Sequence, residues 1–505
     1  VSSLRPLTES ESTSRGVFLV VFFSQTCPLQ HHLLNLSMTT TTTATTALAR
    51  APFDLPELRH QLSQFLTVQD AISCALVSKL WTNDFVSAIW FKNDFKVHSR
   101  FAGLSPELVA KHGHHIRVVK NVVTLQQMAS IAHTNVNKLR ELYIEIAGSV
   151  GQDVTASEVV SRNFPSLQVL WFFSDSVPKN KLESLSFPAL APFFGAAATG
   201  ETASRLKTLR LTDMCLTHDG LEAILQASPA LFELRLRRVE IVGRSTRVLH
   251  HVGVRELSTS IELAFQGDPA DPSLLSYFPN LTYLHVWRDD SRLRIPTTKI
   301  KQDLALYCPH LAGYGVEDSA NSISRSCSRI VKNLSEFVFD YERASVSSIT
   351  SILLHRESLL RIDVFHDSDF DFEEDNVAAV SNRFRESSQS LQLIPRSCPQ
   401  LQVLNLYPHE MDMDEVEKGE WVCKNLRTLY IRVRGLDTTE KIVKAVALWR
   451  RGCWRRRQEK AETSVGEDGK LDETDMSIEA RVARHLLKFE QLWWVWLGYQ
   501  IWAPM

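Results

Sequence analysis

Residues 206–236 read LKTLRLTDMCLTHDGLEAILQASPALFELRL, and one apolar motif both opens and closes this stretch. Leu206, Leu209 and Leu211 form the motif Leu-x-x-Leu-x-apolar, which returns 25 residues later at Leu231. Because side chains alternate along a strand, the last two apolar residues of the motif point to the same face. The stretch therefore predicts two short strands of a repeating unit, each with one buried face.

The motif recurs through the rest of the chain. Copies begin at Leu139, Leu167, Leu206, Leu231, Leu281, Leu311, Leu334, Leu359, Leu401 and Leu426, with a weaker copy at Val254. Pro229 and similar prolines precede many copies, and a proline ends a helix just before the next strand. Residues 217–226 predict one such outer helix. A single unit cannot bury its own apolar side, so the units are expected to stack into a solenoid.

This part of the chain resembles the leucine-rich-repeat proteins, whose repeat length of about 20–29 residues matches the commonest spacing here. The resemblance implies an α/β fold, a horseshoe of short parallel strands with outer helices. The Asn that many of these families carry later in the repeat is largely missing. We therefore expect an irregular solenoid.

A second informative stretch is residues 52–90, PFDLPELRHQLSQFLTVQDAISCALVSKLWTNDFVSAIW. Thr67 and Asp70 have the spacing of a capping box that opens a helix. The sequence predicts that this helix carries two apolar stripes, one along Ile72, Leu76 and Leu80 and one along Cys74, Val77, Trp81 and Phe85. A unit of about forty residues cannot bury both stripes alone, so a protein partner is expected to cover one.

This stretch resembles the F-box, a helical module that docks onto a Skp-type adaptor and, through it, a cullin ubiquitin ligase. Leu55-Pro56-Glu57, the Phe65-Leu66 helix end, Ala75-Leu76-Val77-Ser78 and the final Trp90 carry the resemblance, and Lys79 departs mildly from it. It implies an adaptor-binding surface of Leu55, Pro56, Leu58, Leu62, Phe65, Leu66, Leu76, Val77 and Trp81. An F-box followed by repeats resembles the F-box/leucine-rich-repeat substrate receptors, notably fungal ones.

We expect four regions along the chain. Residues 1–50 form a disordered or mis-annotated segment, residues 51–95 an F-box-like helical domain, and residues 96–136 a helical bridge. Residues 137–505 form the repeat domain, with a mobile charged insertion near residues 455–476. Residues 1–37 are hypothesised to be untranslated in the native protein, because the chain begins with Val1 and Met38 comes just before a Thr-rich tract.

Composition narrows the classes of function. The chain has 505 residues and a net charge of −2, which disfavours a protein devoted to nucleic acid. The apolar run at residues 17–23 is far shorter than the ~20 residues that a membrane span requires, so we expect no membrane association. The eight cysteines form no CxxC pair and favour a reducing compartment, cytoplasmic or nuclear. No GxSxG, P-loop or HExxH motif is present. We therefore expect no catalytic residue and no cofactor. His112, His114 and His115 lack a nearby carboxylate or thiolate that could complete a metal site. Phe372 occupies the position where a calcium-binding loop needs Gly, so we expect no metal there either.

Residues that alternate with the buried positions are expected on the concave surface of the repeats, where they would hold a protein target. They are Trp171, Phe173, Arg210, Arg235, Arg237, His285, Trp287, Tyr407, Tyr430 and Arg432. Aromatic residues and arginines dominate binding hot spots. An equally open alternative is that these side chains only pack on one another along the sheet. The resemblance implies a non-catalytic substrate-recognition subunit of a Skp–cullin–F-box ligase. The alternative is a repeat scaffold unconnected to ubiquitination.

Overall fold

A single sheet runs through almost all of the described chain. The computed structural model describes residues 55–63, 65–95, 106–132, 136–145, 154–173, 204–242, 250–265, 273–287, 295–317, 331, 333–340, 346–365, 391–461, 476–497 and 500–501. The predicted segment 1–50, with the hypothesis about residues 1–37, lies outside these ranges, as do residues 462–475 of the predicted insertion.

The strands of this sheet follow one another in chain order. They are β1 (Lys92–Asp94), β2 (Val118–Val122), β3 (Glu141–Glu145), β4 (Val169–Phe173), β5 (Thr208–Thr217), β6 (Glu233–Val242), β7 (Glu256–Ser260), β8 (Tyr283–Trp287), β9 (Gly313–Glu317), β10 (Glu336–Asp340), β11 (Arg361–Phe365), β12 (Val403–Met411), β13 (Thr428–Val433), β14 (Trp494–Leu497) and β15 (Gln500–Ile501).

Helices precede the sheet and connect most of its strands. They are α1 (Pro56–Ser63), α2 (Val68–Ala75), α3 (Lys79–Phe91), α4 (Pro106–His112), α5 (Leu125–Ala132), α6 (Val154–Asn163), α7 (His218–Ala227), α8 (Ile261–Phe265), α9 (Thr297–Tyr307), α10 (Val346–Leu353), α11 (Leu393–Ser397), α12 (Met413–Glu417), α13 (Thr439–Ala461) and α14 (Ile478–Leu486).

The order of the strands is that of a solenoid. In the described sheet the strands lie in chain order from β1 to β15, and each neighbouring pair from β1 to β14 is parallel. Among the described strands, only β14 and β15 pair in the antiparallel sense. Parallel neighbours that follow each other along the chain require a returning segment after every strand, which is the geometry of stacked repeats. The prediction of an irregular leucine-rich-repeat solenoid is confirmed.

The core lies on one face of this sheet and repeats from strand to strand. Leu170, Leu209, Leu234 and Leu257 occupy the same register on successive strands, and each is fully buried. Burial of such a side chain contributes about 1.5–3 kcal/mol. Each unit thus completes its core only with the leucines of its neighbours.

A ladder of backbone hydrogen bonds joins the units where the strands begin. The carbonyl oxygen of Arg117 accepts two bonds, from the N–H groups of Arg140 (2.7 Å) and Glu141 (3.0 Å). The carbonyl of Arg140 accepts the next pair, and the pattern continues to Arg427, which accepts from Trp493 and Trp494. The ladder comprises Arg117, Arg140, Gln168, Lys207, Phe232, Arg255, Thr282, Ala312, Ser335, Leu360, Gln402, Arg427 and Trp493. We call it the carbonyl ladder.

The sheet begins earlier than the sequence predicts. Residues 96–136 were expected to be a helical bridge, but they contain β2 as well as α4 and α5, and β1 already pairs with β2. These first strands lack the Leu-x-x-Leu motif; Val119 and Val122 fill the core positions instead. The remaining domain boundaries stay predictions.

The region around residue 77 also differs from expectation. The sequence predicts one helix with two stripes, whereas α2 ends at Ala75 and α3 starts at Lys79. Ser78 begins the new helix, since its side chain accepts a hydrogen bond from the Trp81 N–H at 3.2 Å. The predicted capping box is present, with Thr67 and Asp70 bonding reciprocally.

Two features stand out near the carboxyl end. Arg450 and the arginines after it lie within α13, which continues to Ala461. In and next to β14, Val495 and Leu497 are buried, Trp494 and Trp496 are half-buried on the opposite face, and Trp493 is exposed. Alternation along β14 places the tryptophans there.

We predict that Asn163→Ala destabilises the first repeats by about 2–4 kcal/mol, because it leaves buried backbone groups unpaired. The Asn163 amide donates to the carbonyl groups of Val136 (3.1 Å) and Val159 (2.9 Å), and its oxygen accepts from the Leu139 N–H at 2.9 Å. Urea unfolding and hydrogen exchange at residues 139–145 measure the loss. The exposed neighbour Asn137→Ala is the control and should change stability by less than about 0.5 kcal/mol. If the two variants lost equal stability, the hydrogen bonds of Asn163 would not be what stabilises the first repeats.

Candidate interaction surfaces

Helices α1, α2 and α3 form a small module that is held together from within. Arg59 of α1 is fully buried and forms an ion pair with Asp84 of α3. Phe85, also fully buried, stacks on Trp81 with ring centroids 5.5 Å apart. The module therefore has a core of its own, built around a polar contact and an aromatic one.

The turns of this module carry exposed apolar side chains. Phe65, between α1 and α2, is 83% exposed; Leu76 and Val77, between α2 and α3, are 81% and 66% exposed. Leu55 and Leu80 are exposed as well. Large exposed apolar side chains that cluster in a small module are typical of an interaction site in soluble proteins. We call these five residues the apolar patch.

All nine predicted adaptor-binding residues lie at the surface of the module, at least in part. Leu55, Pro56, Phe65, Leu76 and Val77 are exposed, and Leu58, Leu62, Leu66 and Trp81 are half-buried. Their role in binding an adaptor stays a prediction.

The second candidate surface is the sheet face opposite the core, which we call the open face. Two files of side chains cross it from strand to strand, and register fixes their order. The first file is Glu141, Val169, Thr208, Glu233, Glu256 and Tyr283, and the second is Tyr143, Trp171, Arg210, Arg235, Ser258 and His285. Neighbours within a file lie one strand spacing apart, about 4.8 Å.

The beginning of the second file is a chain of cations and rings. The Lys120 ammonium lies 4.5 Å from the centre of the Tyr143 ring. Tyr143 meets Trp171 edge to face with centroids 5.4 Å apart, and the Arg210 guanidinium lies 5.4 Å from the Trp171 ring. Burial and the neighbouring Glu141 raise the pKa of Tyr143 to about 12, so this ring keeps its proton at neutral pH.

Glu233 is the ionic centre of the open face. It accepts from Arg210 at 3.2 Å and from Thr208 at 3.2 Å, and it also pairs with Arg235. Burial and the charge of Glu233 raise the pKa of Glu256 on the next strand. Charge on this part of the face is therefore largely matched from within.

Two glycines of β9 make room for the next side chains. A Cβ atom at Gly313 would overlap the Tyr283 ring, and one at Gly315 would overlap the His285 ring. Both rings therefore lie across the bare backbone of β9. Burial, with Arg235 and Arg237 nearby, lowers the pKa of His285 to about 3, so the imidazole is neutral at physiological pH.

The predicted target-binding residues occupy this face as expected from alternation. Arg235 is exposed, and Trp171, Phe173, Arg210, Arg237, His285, Trp287, Tyr430 and Arg432 are half-buried; the Tyr407 side chain lies outside what the structure describes. Trp171 contacts Tyr143 and Arg210, His285 meets Trp287 at 5.9 Å, and Tyr430 meets Trp496 at 5.3 Å. These side chains therefore pack on one another along the sheet and also remain at least partly exposed to solvent. Target binding stays a prediction.

Sequence reasoning missed several residues of this face. Tyr143 lies between the second and third apolar positions of the first repeat, so the rule applied elsewhere would have found it. Gly313, Gly315 and Glu233 were missed because the rule selected aromatic and basic residues. Trp496 was also missed, although its register partner Tyr430 was selected.

Other candidate sites are not supported by the described residues. The rings of His114 and His115 lie 3.9 Å apart and Trp90 stacks on His112. Within the described ranges, no group of three or more His, Cys, Asp or Glu side chains is placed to hold a metal ion. None of the described helices combines the length and the apolar character needed to cross a membrane.

Comparisons with known proteins add little. No family pattern matches the chain, and no curated protein sequence does. Among solved structures, the chain is similar to the leucine-rich repeat-containing protein LegL7 from Legionella pneumophila, with a TM-score of 0.33 and 14% identity over 59% of this chain and 90% of that one. The repeat architecture described above rests on the strand order and register. The described chain is a repeat scaffold with an apolar patch before its sheet.

We predict that Gly315→Ala displaces the His285 ring and destabilises the protein by about 1–3 kcal/mol through overpacking. Trp287, edge to face with His285, should report the displacement as a change in fluorescence. Val338→Ala is the matched control, since Val338 is the register neighbour of Gly315 and the change removes atoms there. A Trp287 signal that stays unchanged in Gly315→Ala would contradict this packing.

Proposed function

We propose that the protein is the substrate-recognition subunit of a Skp–cullin–F-box ubiquitin ligase. The apolar patch would bind a Skp-type adaptor, and the open face of the repeats would bind a target protein. Catalysis would come from proximity, since the target is held near a ubiquitin-charged enzyme of the same assembly. No catalytic residue of this chain is required by that mechanism.

The observation that carries this proposal is the apolar patch. Phe65, Leu76 and Val77 are each more than half exposed although the module around them has a core. Exposing large apolar side chains forgoes about 25 cal/mol for each Å² of surface that could be buried. Their positions match the residues that give the segment its resemblance to the F-box. An adaptor is therefore the occupant we propose.

The attachment of the module to the sheet supports the same proposal. Helix α3 runs directly into β1, because Phe91 ends the helix and Lys92 begins the strand. The carbonyl of Phe91 then accepts a hydrogen bond from the Arg117 N–H at 3.0 Å. A partner bound to the module would thus be joined to the repeats through continuous backbone and hydrogen-bonded structure, as positioning of a target requires.

The test is adaptor binding by a double charge variant. Phe65→Asp with Leu76→Asp places carboxylates in the apolar patch, and both positions are exposed, so the fold should survive. We expect co-purification with a Skp-type adaptor to fall by at least about tenfold, as for loss of a hot spot. The control is Leu306→Asp with Leu354→Asp, which changes exposed leucines on α9 and just after α10.

Unchanged adaptor binding in the Phe65/Leu76 variant, or equal loss in both variants, would overturn the docking proposal. The alternative function is a repeat scaffold unconnected to ubiquitination. Proximity labelling with the proteasome blocked separates the two. We expect the wild-type protein to enrich ubiquitinated neighbours that the patch variant enriches without ubiquitin. Neighbours that carry no ubiquitin in either case would favour the scaffold.

A further inference from the structure

One edge of the sheet carries a concentration of positive charge that the proposed function does not use. Arg117, Arg140, Lys207 and Arg255 belong to the carbonyl ladder, on the segments that lead into β2, β3, β5 and β7. Lys138 and Arg205 lie two residues before Arg140 and Lys207. We call these six residues the basic edge.

The carbonyl ladder sets the spacing of these cations. Arg140 donates to the carbonyl of Arg117, Gln168 to that of Arg140, and Lys207 to that of Gln168, each N···O distance being 2.7–2.8 Å. Phe232 and Arg255 continue the ladder at 2.8 and 2.9 Å. Successive ladder positions are therefore one strand spacing apart, and Arg140 and Lys207 carry exposed side chains there.

No carboxylate of the described chain neutralises the basic edge. None of its six cations forms an ion pair with a described residue, and Lys138, Arg140, Arg205 and Lys207 are exposed. The guanidinium of Arg117 donates instead to the carbonyl groups of His114 (2.6 Å) and Ile116 (2.9 Å). Burial lowers the pKa of Arg117, and repulsion by the nearby positive charge of Arg140 lowers it further.

Two carboxylates of the open face that directly follow ladder residues, Glu141 and Glu233, are engaged elsewhere. Glu141 accepts from the Tyr143 hydroxyl at 3.1 Å, and Glu233 holds Arg210 and Arg235. Both therefore face the second file of the sheet. The carbonyl ladder itself contains no acidic residue. A chain with a net charge of −2 thus carries a line of cations that no described carboxylate pairs with.

We propose that the basic edge binds an extended acidic segment of a partner polypeptide. This rests on the proposed function only in that the partner would be the target held by the repeats. From β2 to β7 the edge spans five strand spacings, about 24 Å, which about seven residues of extended chain cover. Alternate side chains of such a chain point to opposite sides, so its carboxylates can face the cations while its other side chains face the sheet.

The neighbouring file favours a polypeptide over a nucleic acid. Glu141, Glu233 and Glu256 lie beside the basic edge on the open face, and burial together with Glu233 already raises the pKa of Glu256. Every nucleotide of a nucleic acid carries a phosphate charge, which the neighbouring carboxylates repel. An acidic polypeptide meets less repulsion, because only its alternate residues need to be charged.

The test is direct binding of a fluorescent peptide of about 12 residues, in which Glu alternates with Ser, to the full-length protein at low salt. Its affinity should exceed that of the matching Gln–Ser peptide and fall steeply with salt. Arg140→Glu with Lys207→Glu should weaken binding at least about tenfold. The control Lys301→Glu with Lys418→Glu makes the same charge change on exposed residues elsewhere and should stay within about twofold.

Equal binding of both peptides, or equal loss in both variants, would overturn the proposal. Tighter binding of a single-stranded oligonucleotide of matched charge than of the acidic peptide would overturn the choice of a polypeptide. The Arg140/Lys207 variant should still bind the Skp-type adaptor. If the acidic peptide binds as expected while the Phe65/Leu76 variant retains the adaptor, the ligase role fails and the basic edge stands.

Discussion

The structure depends on one hydrogen-bonding arrangement, the carbonyl that accepts two N–H groups at the start of every unit. A strand in the middle of a sheet has neighbours on both sides, but the residue that leads into it has no ladder partner by default. Here each such carbonyl takes both amides offered by the next unit. These bonds fix the stacking distance and the register of the strands, and the core leucines of neighbouring units are thereby aligned.

That arrangement explains why the units can differ so much in length. Between Gln168 and Lys207, and again between Leu360 and Gln402, the chain is far longer than one repeat, yet the ladder continues through both intervals. Contacts are made only between neighbours, so an extra loop in one unit does not disturb the next. The irregular spacing read from the sequence is therefore compatible with a regular sheet.

Alternation made the repeats readable from sequence, since leucines at fixed offsets report a buried face directly. The first two strands were not predicted, because β1 is only three residues long and the valines of β2 have no distinctive spacing. The split between α2 and α3 also escaped: Ser78 is an ordinary residue in a helical pattern until its side chain is seen to accept the Trp81 N–H.

The open face was predictable as a set of residues but not as a network of contacts. Trp171 and Arg210 were selected by their offsets, whereas their pairing requires strand register, which a sequence with long insertions does not give. Glycines such as Gly315 carry no chemical signal of their own. Their role is visible only through His285, the side chain that fills the space above them. The basic edge was hidden for a similar reason, since its residues are scattered over more than one hundred positions.

The two ends of the described sheet differ greatly from its middle. β1 has only three residues, whereas β5 and β6 have ten each, and β15 runs against its neighbour β14. A stack of like units presents, at either end, backbone groups on which another molecule of the same protein could continue the series. A very short first strand and a reversed last strand fit such a copy poorly, which disfavours end-to-end polymerisation.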